Sequence, residues 1–164
     1  MIRNIFISLT ALIFCCCCCF NSDRYKLKGS DLVYYHYKVH NGYSGMSKEF
    51  EIMCKDSVVS AIVRDCNFLL PNEECKVDSV SNVPREKLEE IGDMLAKANV
   101  QDWEHSYSNP DVFDGDSWSL DVKFGKNFFW SSGYMAGPDY DPTYEINKII
   151  IDVCKPQKEG SKEE

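Results

Sequence analysis

Over residues 117–124 the side chains alternate without a break. Trp118, Leu120, Val122 and Phe124 are large and apolar, while Ser117, Ser119, Asp121 and Lys123 between them are polar. A period of two puts the first set on one face of a pleated strand, so this is a half-buried β-strand. A second aromatic run follows the turn residues Gly125 and Lys126 and ends in Ser131-Ser132-Gly133-Tyr134. The two runs make a hairpin with one face to bury, which commits the chain to an antiparallel sheet. The register depends on the turn. A two-residue loop at Gly125-Lys126 sets Val122 opposite Phe129 and leaves Trp130 beside Asp121. A three-residue loop that includes Asn127 sets Phe124 opposite Phe128 and Val122 opposite Trp130, with Asn127 in the left-handed region that asparagine tolerates. The three-residue loop gathers the large rings on one face and is the expected register.

Upstream, residues 32–40 alternate, with Val33, Tyr35, Tyr37 and Val39 on one face and Leu32, Tyr34, His36, Lys38 and His40 on the other. Strands are also expected at 49–55 and 58–64. If Asp56-Ser57 is a two-residue loop, Cys54 meets Val59, Ile52 meets Ala61 and Phe50 meets Val63, so every pair on that face is apolar. A loop and a short strand at 76–80 come next. The clearest helix spans 84–98: Pro84 suits the first turn, Ser81 or Asn82 can cap it, and Leu88, Ile91, Leu95 and Ala98 form one stripe. Gly92 weakens it by about 1 kcal/mol relative to alanine. A second helix begins at Asp141-Pro142 with Ile146, Ile149, Ile150 and Val153 on its apolar face. The expected class is therefore α+β, ordered β-β-β-(β)-α-β-β-α, with an antiparallel sheet of about five to six strands and two helices on one face. With 44% hydrophobic and 13% aromatic residues, the chain has material for such a core.

The N-terminus reads as a targeting segment. Arg3 precedes an uncharged run, residues 5–20, short for spanning a hydrocarbon core of about 30 Å. Cys15 to Cys19 close this run, and Leu12-Ile13-Phe14-Cys15 resembles a bacterial lipobox in which Cys15 or Cys16 is lipidated. Cleavage near Asn21 without lipid, or palmitoylation in a eukaryotic cell, are the alternatives. The expected layout is a leader at 1–19, a tether at 20–30, one domain at 31–155 and a disordered charged tail at 156–164. Losing the leader removes Arg3 and no acid, taking the net charge from −8 to −9. That balance argues against nucleic acid as a partner and leaves lipid, not charge, to hold a membrane. Of the cysteines beyond the leader, Cys66 and Cys75 close the shortest loop, which leaves Cys54 for Cys154. Their spacings contain no Cys-x-x-Cys, so zinc is not expected.

The second half resembles an uncharacterised family of small exported bacterial proteins and lipoproteins. Trp103 and then Asp114, Gly115, Trp118 and Leu120 carry the resemblance, with Ser131, Ser132, Gly133, Tyr134 and Pro138 after them. It implies export and supplies no activity, ligand or active-site residue. The residues themselves offer no catalytic constellation, no metal site and no cofactor motif. Asp111, Asp114 and Asp116 lack the alternating ligands and terminal Glu of an EF-hand, and Asp-Gly commonly makes a tight turn. His36 and His40 lie roughly 13 Å apart along a strand. Ser131 and Ser132 lack the strand-to-helix turn of a serine hydrolase. Tyr34, Tyr43, Trp118, Trp130, Tyr134 and Tyr140 are candidates for an aromatic binding surface. The function expected is a lipid-anchored, non-catalytic envelope module that binds a protein, glycan or small ligand. Its binding rim would be Asp111, Asp114, Asp116, Tyr134 and Tyr140. The alternative is a hydrolase-like enzyme using the acids at 111–116.

Overall fold

The structure is a computed structural model that describes residues 26–67 and 75–155. The leader with Cys15 and Cys16, the start of the tether and the charged tail lie outside the described residues. Four strands come first: β1 (Leu32–Asn41), β2 (Met46–Lys55), β3 (Val58–Asn67) and β4 (Lys76–Ser81). Helix α1 (Arg85–Lys97) leads to the short β5 (Ser106–Ser108), the hairpin of β6 (Asp116–Phe124) and β7 (Asn127–Tyr134), and helix α2 (Thr143–Cys154). The strands form one sheet of seven, in the order β4-β3-β2-β1-β6-β7-β5. The α+β class holds, with a correction: β5 adds a strand and runs parallel to β7, so the sheet is mixed. Three residues are too few to show a period of two, and β5 is set by its neighbours.

The β2–β3 hairpin has the two-residue register, with Cys54 opposite Val59, Ile52 opposite Ala61 and Phe50 opposite Val63. Asp56 and Ser57 both have positive φ, 51° and 69°, as a type I′ turn requires. The β6–β7 hairpin departs from the expected register. Phe124 pairs with Asn127, Val122 with Phe129 and Asp121 with Trp130, so the loop is Gly125-Lys126. Gly125 takes φ +56° at the first central position, the place glycine occupies in a type II′ turn, and its N–H donates to the Asp31 carbonyl at 2.7 Å. Phe129, not Trp130, fills the core face, packing edge-on against the buried Phe124 ring. Phe128 and Trp130 turn to the opposite face.

Both helices cover one face of the sheet. Tyr35, Phe50, Ile52, Ala61, Leu120, Val122 and Phe124 meet Leu88, Ile91 and Leu95 of α1 and Ile146 and Ile150 of α2, all buried. Tyr35 is fully enclosed, and its hydroxyl donates to Asn147 Oδ1 at 2.8 Å. Burial, with Tyr37 and Asp141 adding to it, pushes the Tyr35 phenol well above its ordinary pKa. Helix α1 starts after Pro84 with no side-chain cap, so neither Ser81 nor Asn82 serves there. Its far end turns at Asn99, left-handed with φ 51°. Asp141 Oδ1 accepts the Thr143 N–H at 2.8 Å and caps α2.

The packed fold reaches back into the stretch read as a tether. Leu27 is buried, and a 3-10 turn at Gly29–Asp31 lies on α1. The Gly29 N–H donates to Asp93 Oδ1 at 3.0 Å, and Arg85 Nη2 donates to the Ser30 carbonyl at 2.8 Å. This contact explains Gly92. A Cβ there would lie 2.6 Å from the Gly29 carbonyl oxygen and 2.7 Å from its Cα, so the glycine makes room for a second backbone. Gly92→Ala is expected to destabilise the domain by about 2 kcal/mol despite the better helix propensity. Chemical denaturation measures it, and a stabilised variant would remove this account of Gly92.

Candidate binding surfaces

Three elements meet at the end of the sheet opposite Gly29–Asp31: the β1–β2 turn, the loop before β6 and the loop after β7. The Gly42 N–H donates to the Gly115 carbonyl (3.3 Å), Asn41 Nδ2 donates to Asp116 Oδ1 (2.6 Å), and the Met135 N–H donates to the Asp116 carbonyl (3.0 Å). The Met135 side chain packs on Gly115, where a Cβ would stand 2.3 Å from it. These ties hold the tip together, yet it exposes large apolar side chains: Phe113 is 93% exposed and Tyr43 87%. Residues 41–47, 109–117 and 134–147 contain no lysine or arginine, while Asp111, Asp114, Asp116, Asp139 and Asp141 lie in them. The tip is thus apolar at its points and acidic around them.

The expected rim residues belong to this end. Asp111, Asp114 and Asp116 are exposed, Tyr134 is half-buried within β7, and Tyr140 is exposed. Asp116 is engaged by Asn41. Neither Phe113 nor Tyr43 was among the rim residues. Asp-Gly marks the turn but does not say that the residue before it points into solvent.

Trp118 is half-buried and packs against the core. Its indole lies near the rings of Tyr37, Trp103 and Tyr107, and its Nε1 donates to the Ala136 carbonyl at 2.8 Å. The indole passes over Gly133, where a Cβ would meet Nε1 at 2.3 Å. Ser131 Oγ donates to the Glu104 carbonyl at 2.6 Å and Ser132 Oγ to the His105 carbonyl at 3.2 Å. Ser-Ser-Gly is therefore a packing device: the serines hold the chain entering β5, and the glycine admits the indole.

The sheet face away from the helices carries a second constellation. The registers align Glu51, His36, Asp121 and Trp130 in one row across β2, β1, β6 and β7. Lys38 Nζ donates to Glu49 at 2.9 Å, and Arg64 lies 3.2 Å from Glu51 and 3.6 Å from Glu49. His36 stands between Glu49, at 3.9 Å, and Asp121, at 3.7 Å. Burial pulls the Glu49 carboxyl upward, but the Lys38 hydrogen bond and the charges of Lys38, His36 and Arg64 outweigh it and hold it below its ordinary pKa. Burial first, then Glu51 and Asp121, raise the Tyr34 phenol. At the sheet margin His105 stacks on Trp130, with ring centroids 4.4 Å apart and planes inclined by 16°. The polar phase of the strand alternation contains this face, but His105 lies outside any period and could not be read.

Cys66 and Cys75 form a disulfide. Cys54 and Cys154 are free thiols, which corrects the second expected pairing. They sit on β2 and at the end of α2, and loop length, the basis for pairing them, says nothing of where two distant elements meet. A hollow of about 840 Å3 lies between β4 and the end of α2 and is lined by Val77, Val80 and Val153, with none of the rim residues. Among the described residues no group of three His, Cys, Asp or Glu could hold a metal ion, and no helix is long and apolar enough to cross a membrane. In comparisons with known proteins, no family model matches the chain and no curated protein matches it.

Proposed function

We propose that this chain is an exported, lipid-anchored envelope protein whose domain binds a partner protein through the loop tip and performs no chemistry there. The observation that carries the reading is the tip itself. A loop cluster whose backbone is tied by hydrogen bonds displays Phe113 and Tyr43 to solvent, and exposed aromatic side chains on such a base are typical anchors of protein interfaces. The acidic rim, whose three segments contain no lysine or arginine, matches a partner whose apolar pocket is ringed by lysine or arginine. The Cys66–Cys75 disulfide agrees with an oxidising compartment. An anchor at Cys15 or Cys16 enters the domain beside Gly29–Asp31. The ten residues of β1 then place the tip about 30 Å farther out. Asp111, Asp114 and Asp116 line an exposed loop and not a cleft, which weighs against the hydrolase-like alternative.

Mass spectrometry of the native protein is expected to show an acylated Cys15 or Cys16 at the mature N-terminus; an unmodified terminus near Asn21 refutes the anchor. For the tip, a photo-crosslinking phenylalanine derivative at position 113 of the full chain in its native membrane is expected to give a discrete protein adduct. The same group at Lys126, in the β6–β7 turn at the other end of the sheet, serves as control. Adducts from 126 but not from 113 overturn the docking end.

A further inference from the structure

The open sheet face presents two aromatic rings in series along β7. Phe128 is 54% exposed and Trp130 48%, and they lie two residues apart on one face, about 6.6 Å along the strand. Each ring has a charged partner directly across the ladder: Lys123 opposite Phe128, and Asp121 opposite Trp130. His105 covers one side of the indole and fixes its plane, and its Nδ1 lies 3.2 Å from the Trp130 carbonyl oxygen. Toward the middle of the sheet the surface turns polar, with Asp121 3.7 Å from His36 and then the ion pair of Lys38 with Glu49. Both helices lie on the other face of the sheet.

We propose that this face is a binding site for a neutral saccharide chain, independent of the tip. Three classes of occupant meet the face differently. A polyanion, nucleic acid or acidic polymer, would need a positive face and would meet Asp121, Glu49 and Glu51 beside Lys38, Arg64 and Lys123, with Lys38 and Arg64 already paired to the two glutamates. An apolar protein surface or acyl chain would strip water from Lys38, Glu49 and Arg64 and offer them no hydrogen bonds in return. A neutral sugar ring offers what the face can use. Its C–H side is flat and apolar and lies against an exposed indole, while its hydroxyls both donate and accept. Carboxylates and ammonium groups therefore bond it with no need for net charge. The fixed indole plane reduces the ordering cost on binding.

The test uses the full chain in a detergent without a sugar headgroup, titrated calorimetrically with β-1,4-linked N-acetylglucosamine, β-1,4-linked glucose and α-1,4-linked glucose tetramers. A glutamate-rich peptide and phosphatidylglycerol vesicles represent the competing occupants. Saturable binding of at least one tetramer is expected, weakened at least tenfold in Trp130→Ala, partly restored in Trp130→Phe, and unchanged in Phe113→Ser. Circular dichroism and the denaturation midpoint check that each variant folds. No saturable binding of any tetramer overturns the proposal, as does equal binding by a folded Trp130→Ala. Binding of the peptide or the vesicles alone also overturns it. Loss of saccharide binding in Phe113→Ser would move the site to the tip.

Discussion

Trp118→Ala is expected to destabilise the domain by about 4 kcal/mol, the middle of the range for removing a large ring from a packed site. The indole lies among Tyr37, Trp103 and Tyr107, and it holds the Ala136 carbonyl through Nε1. Alanine would leave a cavity against Gly133, which has no side chain to fill it. Trp118→Phe keeps much of the ring contact and loses the hydrogen bond, so its cost should be nearer 1–2 kcal/mol. Urea denaturation followed by circular dichroism measures both. The variants should also loosen the loop after β7, which hydrogen exchange of the Met135 amide reports. A cost below about 1 kcal/mol for the alanine variant would mean that Trp118 does not join β6, β7 and the segment before β5.

Removing the Cys66–Cys75 disulfide by paired serine substitution is expected to cost about 2.5 kcal/mol, from the entropy returned to an unfolded chain that no longer closes this short loop. The bond joins the end of β3 to the start of β4, a six-residue strand exposed over most of its length. Exchange protection should therefore fall in β4 before it falls in β2 or β6. Peptide mapping after thiol labelling of unfolded, unreduced protein should find Cys54 and Cys154 labelled and Cys66 and Cys75 protected. Burial, with Asp78 adding to it, raises the Cys154 thiol, so in the folded protein it should label slowly at neutral pH. A paired variant as stable as the parent would show that packing alone secures β4.

What the sequence disclosed depended on how local the signal was. The β2–β3 register was legible because a two-residue loop alone makes every facing pair apolar. Both helices were legible from their apolar stripes, and Leu88, Ile91, Leu95 and Ala98 are buried as expected. The β6–β7 register was misjudged because gathering the rings on one face was weighted above the turn. Gly125 at the first central position favours two residues, and Phe129 then serves the core while Trp130 is released to the open face. The Ser-Ser-Gly run was visible as a pattern, but its cause, an indole crossing from β6, is a tertiary contact. The fold sets the rim acids at one end of the sheet, and the exposure of Phe113 and the pairing of His105 with Trp130 came only with it.

The position of β1 bears on how the domain carries load. It lies in the middle of the sheet, bonded along its length to β2 on one side and β6 on the other. It is also the strand that the N-terminal segment feeds, through Gly29–Asp31 fastened to α1. Under the proposed anchor and docking end, a pull between the N-terminus and a partner runs along the strand axis. The two ladders are then sheared as a whole and are not opened one bond at a time. Such a domain should yield at high force and over a short extension, with the unfolding rate setting its lifetime under tension. An edge strand in the same place would unzip.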